Sequence, residues 1–138
     1  NQQLNGGIYK ISEWADIVTF HSTCGYKSIP IDTNLIIFLV VELSVEGHLC
    51  DTNYIEKSIQ IANTHPNILG VVCQHDIQHL QKNILKIVPG ISLNKQKKDN
   101  YNQIYNKIEN KNFADIFVVG RSIIQSDNPL ELIKSIKN

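Results

Sequence analysis

The chain has no methionine, one tryptophan and a single arginine in 138 residues. Without a methionine, Asn1 is not read as an ordinary translation start, and the chain is expected to be a trimmed or excised part of something longer. Cysteine is scarce too. Cys24, Cys50 and Cys73 are widely spaced with no C-x-x-C pair, which excludes a disulfide framework or a zinc ribbon and leaves buried free thiols as the expectation. No signal peptide is evident, and the longest apolar run, Asn34 to Leu43, is about half the length needed to cross a bilayer. A cytoplasmic protein without a membrane partner is expected. Nor is there an excess of charge of either sign. Thirteen acidic residues balance thirteen basic ones, so no global field favours nucleic acid, and any anion site must be built locally.

What is present is a domain's worth of ordinary sequence, 42% hydrophobic and 19% charged, enough to bury a core. Five apolar runs are continuous rather than alternating, as in buried parallel strands: 16–20, 35–41, 68–72, 84–88 and 115–119. Helical spacing places Ile8, Ile11 and Trp14 on one face before the first run, and Ile55, Ile59 and Ala62 on one face after the second. Ile77, Leu80 and Ile84 suggest a third helix. A last one is marked by Asn128 as cap and Pro129 at the first helical position, followed by Leu130, Ile133 and Ile136 or Lys137. Alternating strands and helices imply βαβ units and a parallel sheet. Two architectures fit: a five-stranded doubly wound sheet, or roughly the second half of a (β/α)8 barrel, which needs about 250 residues when whole.

The lone arginine, Arg121, directly follows an apolar run and Gly120. A planar guanidinium suits a two-point grip on phosphate or carboxylate, and a neighbouring glycine lets backbone approach an anion. In a barrel, the loops after the last two strands often hold phosphate. Here those loops carry "VPGISL" (88–93) and "VVGRSI" (118–123). Between them, Gln103 and Tyr105 stand two apart in "DNYNQIYN" (99–106), so in an extended loop both face one way and can donate to one phosphate.

These stretches, with "GGIYKISEWADIVTFH" (6–21) and "ELSVEGHL" (42–49), resemble orotidine 5'-phosphate decarboxylases, in particular the form that makes up the C-terminal domain of eukaryotic UMP synthase. The resemblance implies an α/β fold, the C-terminal portion (about strands four to eight) of a (β/α)8 barrel, with residues 1–138 forming part of one decarboxylase domain. It implies that Arg121, with the Gly120 backbone, grips the phosphate, that Gln103 and Tyr105 are further phosphate donors, that Ser44 bonds the pyrimidine ring and that Pro89 lines the base pocket. The implied reaction converts orotidine 5'-phosphate to UMP and CO2 without cofactor or metal. Remote phosphate binding then holds ring and carboxylate in the productive arrangement. The resemblance also implies a homodimer, and leaves open a fused orotate phosphoribosyltransferase domain. The family's Lys and Asp network, D-x-K-x-x-D, is placed by the resemblance just upstream of Asn1. It occurs nowhere in this chain, so no catalytic residue is assigned here, and the chain by itself is expected to be inactive.

The chain departs from the family pattern in three places. "STCGYKSIPIDTN" (22–34) is short and Pro30 breaks any helix there, "NKQKK" (94–98) replaces small residues and reads as a solvated loop, and Val45 stands where a second serine is common. Among other candidates, His75 and His79 lie four apart but lack a third metal ligand, Cys73 reads as a packed thiol, Glu42 as a structural carboxylate and Glu46 as solvated. Three other readings stand beside the main one: a non-catalytic UMP-binding relative, a phosphate-barrel lyase acting on a sugar phosphate, and a doubly wound interaction module.

Overall fold

A computed structural model describes residues 2–31, 33–93 and 102–136. Its centre is a sheet of strands β1 (Ile17–His21), β2 (Ile36–Val40), β3 (Ile68–Val72), β4 (Leu85–Val88) and β5 (Ile116–Phe117). Every neighbouring pair is parallel, and the strands lie side by side in chain order. That order decides between the two architectures. A doubly wound sheet reverses direction at a switch point, whereas a barrel wall adds each strand beyond the last. The doubly wound reading is therefore set aside, and the chain is a run of consecutive strands of a barrel wall.

The two faces of the wall differ. Ile37, Leu39, Val71 and Val88 are wholly buried and share a core with Ala62, Ile77 and Ile84, against which Ile55 and Ile59 pack. On the opposite face, the row Thr19, Phe38, Gly70 and Leu85 is in register across four strands. There the Phe38 ring covers Gly70 so closely that a Cβ on the glycine would lie 2.9 Å from Cδ1. This second face is less sealed, with Ile17, Leu85 and Ile116 all exposed. The continuous apolar runs led to the expectation of burial on both faces, and only one face meets it.

Helix α1 (Thr52–Thr64) carries the expected face of Ile55, Ile59 and Ala62 and is capped by Asp51, whose side chain accepts from the Tyr54 N–H at 2.8 Å. The Tyr54 hydroxyl then donates to the Val40 carbonyl at 2.9 Å, fixing the helix to the end of β2. A short helix α2 (Arg121–Ile124) and the terminal α3 (Pro129–Ile136) follow β5. Asn128 caps α3 as expected, accepting from the Glu131 N–H at 3.5 Å. Lys137 and the "NKQKK" segment lie outside the described residues.

Two expected helices are not formed. Before β1 there are a π-helical turn at Gln2–Gly6 and a 3-10 turn at Ile11–Glu13. Lys10, between them, takes a left-handed φ of 42° that interrupts helical continuation. Ile8 and Trp14 consequently stand 90% and 69% exposed instead of sharing a buried face. Between β3 and β4, His79 takes a φ of 63°. The Asn63 side chain of α1 clasps that turn, donating to the His79 carbonyl at 2.9 Å and accepting from the Gln81 N–H at 3.0 Å. A long-range clasp has overridden the local helical spacing of Ile77, Leu80 and Ile84. Around Pro30 the described residues make 3-10 turns, Ser22–Cys24 and Tyr26–Ser28, and no longer helix, as the proline implies.

Candidate functional site

All strand exits of a parallel wall lie at one end, and three of them meet here around one short segment. Residues 102–106 run between the exits of β2 and β4. On one side the Glu46 N–H donates to the Asn102 carbonyl and the Ile104 N–H to the Ser44 carbonyl, both at 2.9 Å. On the other, the Asn106 N–H donates to the Gly90 carbonyl at 2.8 Å and the Ser92 N–H to the Asn106 carbonyl at 2.9 Å. Val45 and Gln103 form an antiparallel bridge, and Ile91 and Asn106 a parallel one. The segment is thus held on both edges by backbone.

Gly90 makes that fit feasible. Its φ of +76° is left-handed, and a Cβ on it would meet the Ile104 carbonyl oxygen at 2.7 Å, the Gln103 Nε2 at 3.4 Å and the Ser44 Cβ at 3.5 Å. Ser44, Gly90 and Gln103 are therefore packed against one another. Pro89 precedes this glycine at the end of β4, and is half-buried.

The third exit brings Arg121, the first residue of α2. One guanidinium nitrogen, Nη1, donates to the Tyr105 hydroxyl at 2.5 Å, and Nη2 donates to the Gln103 Oε1. The guanidinium carbon also lies 5.5 Å from the centre of the Tyr105 ring. Gln103 and Tyr105 do point the same way, onto the arginine, as their two-residue spacing suggested. A phenol that accepts from a cation is itself a stronger donor, so the cluster is suited to an oxyanion. At Gly120 an added Cβ would meet nothing within 4 Å. The backbone there is open, with none of the described residues packed where a side chain would be.

Beneath the clamp lies a polar layer the sequence did not reveal. Glu42, buried at the end of β2, accepts from the backbone N–H groups of Gln74 and His75 at 2.7 and 2.9 Å and lies 2.9 Å from the His75 Nδ1. Burial works to raise the pKa of this carboxyl. The His75 ring and the two N–H donors outweigh that effect and hold it below its ordinary value. Gln74 passes the connection on. Its Oε1 accepts from the Asn106 Nδ2 at 2.6 Å, and its carbonyl accepts from the Lys111 Nζ at 2.5 Å. Lys111 is buried, with its ammonium 5.8 Å from the centre of the Phe113 ring. A lysine and a glutamine in a polar sequence carry no local sign of burial. Only Glu42, read as a structural carboxylate, was anticipated.

The other candidates are resolved individually. His75 is engaged with Glu42 and is not on a helix with His79, and among the described residues no group of three or more His, Cys, Asp or Glu is placed to hold a metal. Burial pushes the Cys73 thiol up to about 12, so it is a packed group, not a nucleophile. The expectation of three buried thiols holds only for Cys73. Cys24, in the 3-10 turn after β1, is exposed and Cys50 half-buried. Among the described residues no helix is long and apolar enough to cross a membrane.

A wall of consecutive parallel strands with an arginine-centred cluster at its strand exits is that of an α/β barrel protein. The chain belongs to the orotidine 5'-phosphate decarboxylase / HUMPS family, whose model matches residues 2–136. It is 31% identical over 143 residues to the uridine 5'-monophosphate synthase of Bos taurus, covering 96% of this chain and 29% of that protein. It is 30% identical over 147 residues to the orotidine 5'-phosphate decarboxylase of Pichia kudriavzevii, covering 96% of this chain and 56% of the relative. Among solved structures, the orotidine 5'-phosphate decarboxylase of Thermotoga maritima superimposes with a TM-score of 0.57 at 28% identity, over 87% of this chain and 59% of that one. The chain spans about half the length of the curated decarboxylases it matches.

Proposed function

We propose that the chain supplies the nucleotide-recognition part of an orotidine 5'-phosphate decarboxylase, the C-terminal portion of one barrel domain that makes UMP and CO2. The observation that carries this reading is the convergence of Arg121, Gln103 and Tyr105 at the strand exits of a barrel wall. The guanidinium and the phenol grip the 5'-phosphate, assisted by the open backbone at Gly120. Ser44, packed beside Gly90 and Gln103, faces the pyrimidine, with Pro89 at the edge of the base pocket. Phosphate binding far from the reacting carbon is useful because its free energy can be spent on orienting the carboxylate. The charge chemistry is a different matter. The lysine that stabilises and protonates the carbanion, and the aspartates that disfavour the substrate carboxylate, belong to a D-x-K-x-x-D motif that these 138 residues do not contain. In this reading they come from protein outside these residues, and the working enzyme is a cytoplasmic homodimer needing no cofactor or metal. A further domain on the same polypeptide, such as an orotate phosphoribosyltransferase, is compatible with the chain matching only 29% of the bovine relative.

The test is calorimetric titration with UMP, uridine and ribulose 5-phosphate, on the wild type and Arg121→Ala. UMP is expected to bind, uridine to bind far more weakly, and Arg121→Ala to cost roughly 2 kcal/mol of UMP affinity, about thirtyfold. Preference for the sugar phosphate over UMP would replace the decarboxylase with a sugar-phosphate lyase, and equal affinity for UMP and uridine would remove the phosphate clamp altogether.

A further inference from the structure

We propose that Gln74 is a positioning residue for the phosphate clamp, and that the contact it makes with Asn106 sets the place of Gln103 and Tyr105. The inference rests on the reading of the clamp given above. Gln74 follows the end of β3, the strand whose exit contributes no clamp residue. It is 2% exposed, and three of its polar atoms are engaged by three different parts of the chain. Its N–H donates to Glu42 beyond β2, its carbonyl accepts from Lys111 ahead of β5, and its side-chain oxygen accepts from Asn106 at the end of the clamp segment. Asn106 adjoins Tyr105, so the amide anchors the clamp segment to the sheet from below, while backbone bonds hold its two edges.

The fourth polar atom is informative. Gln74 Nε2 is buried and has no hydrogen-bond partner among the described residues. Leaving a buried N–H without an acceptor is unfavourable, and an apolar residue of the same size would avoid it. Folding alone therefore does not favour glutamine here, whereas retention of the Asn106 contact does. Sites where local stability is sacrificed are expected to be functional ones.

Gln74→Leu separates the two roles, because leucine fills the same space, removes the orphan donor and removes the acceptor for Asn106. The expected results are an undiminished melting temperature, UMP affinity reduced about three- to tenfold and unchanged uridine affinity. Asn106→Ala should weaken UMP to a similar degree, and the double variant should add little. Independently of any ligand, amide hydrogen exchange at Ile104 and Asn106 should accelerate in Gln74→Leu, with Leu39 and Val71 unaffected. Wild-type exchange at Ile104 and Asn106 in the variant overturns the inference, as does undiminished UMP affinity. If the wild type itself shows no preference for UMP over uridine, the clamp reading fails, and the exchange rates still decide whether Gln74 positions the segment.

Discussion

Replacing Gly90 with alanine tests how tightly the clamp segment is fitted to the end of β4. Two separate costs are expected. The left-handed φ of +76° at Gly90 costs a non-glycine residue about 1–3 kcal/mol. In addition, the new Cβ would lie 2.7 Å from the Ile104 carbonyl oxygen, which must retreat by about 0.7 Å to reach ordinary contact at 3.4 Å. That oxygen belongs to backbone, so the movement is passed to Gln103 and Tyr105 on either side of it. It also strains the bonds from the Ile104 and Asn106 N–H groups, now 2.9 and 2.8 Å long, each worth about 1 kcal/mol net. Gly47 provides the control. Its φ of +74° is nearly the same, but a Cβ there meets nothing within 4 Å, so Gly47→Ala carries the backbone cost alone. Urea unfolding followed by far-UV circular dichroism should place Gly90→Ala about 1–2 kcal/mol below Gly47→Ala. Trp14 is too exposed to report on the core by fluorescence. UMP affinity should fall in Gly90→Ala beyond any loss in Gly47→Ala. Equal stability and equal UMP affinity in the two variants would refute the fit between Gly90 and the clamp segment.

Two further outcomes concern groups around the site. Because Glu42 has its pKa depressed in the folded state, its stabilising contribution is fully present above the unfolded value near 4.5 and is lost as pH falls through the lower folded value. The unfolding free energy of the wild type should therefore drop below about pH 4.5 more steeply than that of Glu42→Gln, and parallel pH profiles would show that the carboxylate is not held as described. Cys73, with its thiol pushed up to about 12 and buried, should resist iodoacetamide in the native protein at pH values where the exposed Cys24 is alkylated, as peptide mass spectrometry would read. Simultaneous labelling of both would mean the core around Cys73 opens readily.

The strands were legible in the sequence because burial against helices leaves a run of branched apolar residues, and 68–72 matches β3 residue for residue. α1 and α3 were legible for a related reason: the one-face spacing of Ile55, Ile59 and Ala62 and the Asn128 cap, which acts three residues on, are both local signals. What failed were segments decided by distant partners. The spacing of Ile77, Leu80 and Ile84 suits a helix, yet Asn63, sixteen residues before His79, holds that stretch in a turn. The same distinction runs through the site. Gln103, Tyr105 and Arg121 could be grouped because two donors at alternate positions and a lone guanidinium after a strand stand in the order of the family they resemble. Gln74 and Lys111 could not, since their partners lie 32 and 37 residues away and neither residue type announces burial.

The two faces of the wall bear on how recognition and chemistry divide. The clamp is assembled from strand exits of β2, β4 and β5 and from the segment between the last two, and each of its described contacts is made within this chain. The inner face of the sheet is different, since Ile17, Leu85 and Ile116 remain exposed along it, and exposed apolar surface of this kind is costly in water. The clamp contacts and the cover of the inner face thus involve different residues of the sheet. In the proposed reading, anchoring the phosphate rests on the backbone pairing of residues 102–106 and on the layer of Glu42, Gln74 and Asn106. In the same reading, the charges that stabilise the transition state come from outside these residues, since this part of the wall presents the apolar Ile17, Leu85 and Ile116 along its inner face. On that reading, a substitution in the Arg121 cluster weakens nucleotide binding without touching the groups that would act on the carboxylate.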